Sequence, residues 1–120
     1  MSRATKIEQR LRGLEEITRT AINAVAAATL PLETKIHYNI LICGISKGLS
    51  ASSLQESWSI FVKTYSAVAA VQGDETIEMI RQYLEDAIGQ YRLASRHNVP
   101  LHECKAELLW SIKQLGLCAK

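Results

Sequence analysis

A chain of 120 residues, 48% apolar and 22% charged, is long enough to bury one core and too rich in aliphatic residues for disorder. Its net charge of +2 is too small to steer the whole molecule onto nucleic acid. Two prolines and six glycines are few for an all-β domain, which needs a turn every ~8–12 residues.

The longest apolar stretches, Ala24 to Ala28 and Ile40 to Ile45, fall far short of the ~20 residues that span a bilayer. No membrane insertion is expected. The start, Met1-Ser2-Arg3-Ala4-Thr5-Lys6, leads into a charged amphipathic segment rather than the apolar run of a secretory signal, so a cytoplasmic location is the expectation. Cys43, Cys104 and Cys118 form an odd set without paired spacing, which fits small reduced thiols better than a disulfide framework.

A first helix is predicted from Ser2 or Thr5 to about Leu30, because Pro31 forces its predecessor out of the α region. Ile7, Leu11, Leu14, Thr18, Ala21, Val25 and Ala28 recur at alternating spacings of four and three, which is a heptad seam. With Leu11, Thr18 and Val25 at a positions, Arg10 falls at g and Glu15 at the following e, where a parallel mate would set the two against each other. Ile7, Arg10, Leu11, Leu14 and Glu15 are therefore the candidate protein interface, and a homo-oligomer is expected. The same stripe also suits one face of a helix lying along its own bundle.

A second helix beginning near Pro31 or Glu33 carries Ile36, Ile40, Leu41, Ile42, Cys43 and Ile45, apolar around most of its circumference, and should be the most buried. Gly44 and Gly48 weaken its end, and Gly48 to Ser53 reads as a turn. Ser52 with Gln55 and Ser53 with Glu56 both fit the capping-box spacing. The third helix runs to about Gln72 with Leu54, Trp58, Phe61, Tyr65 and Val68 on one stripe, which places Trp58 and Phe61 in the core. Gly73 closes it and Asp74 caps a fourth, striped by Ile77, Ile80, Leu84, Ile88 and Tyr91 and ending near His97 or Asn98. A fifth starts about Pro100 and buries Leu101, Cys104, Leu108, Ile112 and Leu115 until Gly116 ends it. The predicted fold class is all-α, a single-domain bundle of about five helices over residues 1–120.

Enzymatic chemistry finds little footing in this pattern. There is no phosphate-cradling glycine loop, no nucleophile elbow and no metalloprotease His-Glu pair. His97, His102 and Cys104 gather around Pro100, but their spacings are too long and too short for the paired ligands of a zinc site. Glu75 and Glu78 lie one turn apart, with Glu85 and Asp86 further along; a Mg²⁺ site would require a matching pair on another helix, and acids in a first turn follow from the helix dipole alone. No cofactor, metal or catalytic residue is expected.

Ile40 to Trp58 can be laid over a helix-turn-helix, with Gly48 as the turn glycine and Leu54 at the buried position of the second helix. Its recognition segment, Ser50 to Ser59, lacks Arg and Lys, whereas phosphate contacts supply most of the affinity for DNA. Arg3, Lys6, Arg10 and Arg12, with Lys47, are the candidate nucleic-acid contacts. The function that fits best is a non-enzymatic, regulatory interaction protein acting through protein–protein binding, as an adaptor, an inhibitor or an assembly subunit. A nucleic-acid-binding regulator is the alternative.

Overall fold

The computed structural model describes residues 13–119. They form five helices and, among the described residues, no strand: α1 (Leu14–Ala27), α2 (Leu32–Ser50), α3 (Leu54–Val68), α4 (Glu75–Ala94) and α5 (His102–Cys118). The all-α bundle predicted from periodicity is the fold observed. None of the described helices is long and apolar enough to cross a membrane.

The direction of each helix follows from which side chains meet. Thr18 bonds Ser46 and Lys35 reaches Ala26, so rising numbers on α1 meet falling numbers on α2. The same inversion relates Gly44 with Thr64 and Gly48 with Phe61 across α2 and α3. Phe61 with Tyr91 and Val68 with Arg81 repeat it across α3 and α4. Thr76 with Cys118 and Tyr83 with Trp110 do so across α4 and α5. Each helix is antiparallel to the next, which short connections favour, and α1 consequently runs parallel to α5. Helix α2 packs against α1, α3 and α5. Expected to be the most buried helix, it buries Tyr38, Leu41, Ile42, Ile45, Gly48 and Leu49, but the shorter α5 buries more, Cys104, Leu108, Leu109, Ser111, Ile112, Leu115 and Gly116, and Ile36 is 48% exposed because no described helix packs on that side of α2's first turns.

The helix ends are stitched by side chains from the following helix. The Lys35 ammonium donates to the Ala26 carbonyl at 3.1 Å, and the Ser57 hydroxyl donates to the Gly48 carbonyl at 2.7 Å. The Arg81 guanidinium donates to the carbonyls of Val68, Ala69 and Val71 at 2.9, 3.1 and 2.7 Å. The last four carbonyls of a helix have no partner within it, and a cation placed there also complements the dipole. The N-termini follow local rules. Ser53 accepts from the Glu56 amide and Asp74 from the Ile77 amide, both at 3.1 Å. Ser53 is thus the cap of the two candidates, while the Ser52 hydroxyl donates to the Glu56 carboxylate instead of pairing with Gln55 as its spacing predicted. Gly73 adopts φ +81° between α3 and α4, a conformation open to glycine and strained for other residues.

Three expected boundaries move. Helix α1 ends at Ala27, α3 at Val68 and α4 at Ala94, each a few residues before the predicted stop. Two glycines expected to end helices lie inside them. Gly48 is buried in α2 and Gly116 in α5, and both mark places where another helix comes close. A Cβ on Gly48 would overlap the Phe61 ring, and one on Gly116 would stand 3.1 Å from the Ala21 Cα.

Candidate functional site

Of the predicted interface residues, Ile7, Arg10 and Leu11 lie outside the described residues, as do Arg3, Lys6 and Arg12 of the nucleic-acid set. Leu14 is 6% exposed and forms part of the chain's own core with Ala21 and Val25. The seam expected to meet a second chain is therefore, from Leu14 onward, turned inward on α2 and α5. The reason is local: Gly116 lets α5 close onto Ala21, and the Thr18 hydroxyl is satisfied by Ser46 at 3.0 Å. Glu15 is exposed and accepts from Arg19 one turn along the same helix at 3.4 Å. Such an exposed pair contributes ~0–1 kcal/mol.

The helix-turn-helix overlay fails at two positions. Gly48, assigned to the turn, is two residues inside α2, and Leu54, assigned to the buried position, is 37% exposed. Helices α2 and α3 form instead a close antiparallel hairpin, because Gly44 and Gly48 admit Thr64 and Phe61. Ser57, which looks out of place at an apolar position, is buried because its hydroxyl bonds the Gly48 carbonyl. Lys47 is exposed in the last turn of α2, where a cation suits the helix dipole.

Around Pro100, His97 is exposed in the α4–α5 connection while Cys104 is buried in α5. Among the described residues no group of three His, Cys, Asp or Glu is arranged to hold a metal ion. All three cysteines are free. Burial pushes the Cys104 thiol up to about 11, with Lys105 opposing the shift. The reactive thiolate is therefore scarce there at pH 8. Cys118 is exposed beside the Thr76 hydroxyl. An alkylating reagent at pH 8 should therefore modify Cys118 in the native protein and reach Cys104 only after denaturation, as read by peptide mass spectrometry. Equal labelling rates would contradict this burial.

What the periodicity did not single out is the outward face shared by α4 and α5. Trp110 lies opposite the buried stripe of Leu108, Ile112 and Leu115, and its ring meets Tyr83 edge-on, centroids 5.8 Å apart at 85°. Met79, one turn from Tyr83, is exposed on the same face, and Trp110 is 40% exposed; Leu117, two turns from Trp110 and 56% exposed, lines the groove between α5 and Ile17 and Thr20 of α1. One turn the other way, Asp86 follows Tyr83 and Glu107 precedes Trp110. There the two helices open into a cleft of ≈ 620 Å³ lined by Glu85, Asp86, Glu107, Leu93 and Val99 among others. Partial burial, with the Asp86 and Glu103 carboxylates nearby, holds the Glu107 carboxyl above its ordinary value. The face is thus aromatic and apolar at one end and acidic at the other. The available signal was a tryptophan at a polar-face position of an amphipathic helix, with Met79 and Tyr83 likewise off the stripe of theirs.

Chemically this face offers contact area and negative charge. No protein-family model matches the chain, and neither a curated protein nor a solved structure matches it.

Proposed function

We propose that the protein is a non-enzymatic helical interaction protein whose α4/α5 face binds another protein. The observation that carries this reading is the Tyr83–Trp110 pair, edge-on and partly exposed on the outer side of α4 and α5. Soluble proteins leave single apolar side chains exposed routinely, but contiguous aromatic and aliphatic surface marks binding sites. Tryptophan and tyrosine supply a large share of interface energy because they bury much area with little rotamer entropy to lose. Met79 adds an adaptable edge, and the acidic end adds selectivity for a basic partner.

Trp110→Ala should leave stability within about 1 kcal/mol of wild type, since the ring is partly solvated in the folded chain. It should also abolish retention of whatever the wild-type protein captures from cell extract. Denaturant unfolding and quantitative mass spectrometry of the captured proteins measure the two effects. An unchanged captured set would remove the α4/α5 face from the reading. Capture of DNA or RNA that collapses with rising salt would favour the nucleic-acid alternative instead.

A further inference from the structure

We propose that the outer side of α2 pairs two copies of this chain end for end, with Ile40 near the two-fold axis and Glu33 of each copy against Lys47 of the other. This surface is separate from the α4/α5 face, so the inference goes beyond the reading given above.

Helix α2 is engaged by its own chain on three sides. Lys35 and Ser46 meet α1, Gly44 and Gly48 admit α3, and α5 packs on a third side. What these contacts leave is a strip of Glu33, Ile36, Ile40, Cys43 and Lys47, whose spacings of three, four, three and four keep them on one side of a helix. Glu33, Ile36 and Lys47 are exposed, and Ile40 and Cys43 are half-buried. Leu32, at the edge of the strip, is 74% exposed. The alternation of three and four is the spacing by which two helices form a seam, and here the middle of the seam is apolar and each end carries one charge.

The charges select the occupant. Glu33 and Lys47 stand at opposite ends of the strip, two turns to either side of Ile40. A parallel copy would set Glu33 against Glu33 and Lys47 against Lys47. A copy turned end for end sets opposite charges together at both ends and brings Ile36 beside Cys43 between them, because a two-fold axis makes each contact twice. Residues 1–12 match the strip less well. They carry Arg3, Lys6, Arg10 and Arg12 against Glu8 alone, and a strip with one acid and one base offers such a segment no net attraction. From Glu33 to Lys47 the strip is ~21 Å long on a helix ~10 Å across, small beside the ~800 Å² per partner of a standard interface. The dimer is therefore weak and forms with rising concentration.

Sedimentation equilibrium of the full chain, carried up to about 1 mM, should find a monomer–dimer equilibrium. Glu33→Lys and Lys47→Glu should each weaken the dimer about tenfold at low salt, since the two-fold turns two attractive contacts into two repulsive ones. The double variant, Glu33→Lys with Lys47→Glu, should dimerise like the wild type, and an equimolar mixture of the two single variants should pair as a heterodimer. Ile36→Ser should weaken the dimer even in about 1 M salt, where the screening length falls to roughly 3 Å and the apolar contact remains. All three side chains are exposed, and circular dichroism checks that each variant folds. A wild type that stays monomeric at every concentration overturns the proposal. So does a single reversal without effect, or a double variant as weak as the single ones. A monomer destabilised by Ile36→Ser would place another part of the same chain on the strip, which also overturns it. None of these failures touches the Trp110→Ala result, whose readout is a captured partner at any oligomeric state.

Discussion

Replacing Phe61 by Ala is expected to destabilise the fold by about 3–5 kcal/mol, the range for emptying a fully buried aromatic site. The ring is 0% exposed and lies edge-on to Tyr91, centroids 5.1 Å apart at 77°, while Gly48 of α2 forms its floor. Three helices therefore converge on one side chain, and none can collapse into the vacancy without moving another. Against a typical total of ~5–15 kcal/mol for a domain, such a loss brings the chain close to unfolding at room temperature. Trp58, on the same stripe, should behave differently. It is half-buried against the core, and its indole N–H is shut off from solvent with no acceptor among the described residues. Trp58→Ala loses less buried area, and Trp58→Phe removes a donor whose desolvation costs ~1–3 kcal/mol, so the phenylalanine variant should be close to neutral. Urea midpoints of the three variants give the ranking. Equal losses for Phe61→Ala and Trp58→Ala would refute the half-buried placement of the indole.

Gly48→Ala should destabilise by about 1–3 kcal/mol, although it improves helix propensity by ~1 kcal/mol. The added methyl would occupy the position of the Phe61 ring. That ring cannot swing away, because Tyr91 closes its other side. Gly89→Ala is the internal control. Gly89 lies within α4 with nothing within 4 Å of where its Cβ would stand, so propensity acts alone and the variant should gain about 0.5–1 kcal/mol. Thermal or urea unfolding of both variants should show shifts of opposite sign. A neutral Gly48→Ala would mean that α2 and α3 are further apart than described here.

The sequence determined by itself whatever depends on neighbours along the chain. Stripes such as Ile77, Ile80, Leu84 and Tyr91 lie on one side of a helix by the geometry of 3.6 residues per turn, whatever they pack against. The caps at Ser53 and Asp74 satisfy backbone groups two or three residues away, and Gly73 supplies a backbone conformation that needs no partner. These were legible, and so was the number of helices. The meaning of Gly48 and Gly116 was decided only by tertiary structure. A glycine weakens a helix by its own propensity, but it also allows close approach, and which effect prevails depends on whether Phe61 or Ala21 arrives from far along the chain. The three C-terminal carbonyl clusters were equally hidden, since Lys35, Ser57 and Arg81 reach them from the following helix over 9 to 13 residues. The seam of the first helix was correctly read as apolar on one side, but periodicity carries no information on whose surface covers it. The fold places α2 and α5 there from Leu14 onward. For the same reason the α4/α5 face could not be read in advance. Tyr83 and Trp110 are 27 residues apart, and only the antiparallel register of two helices makes them one surface.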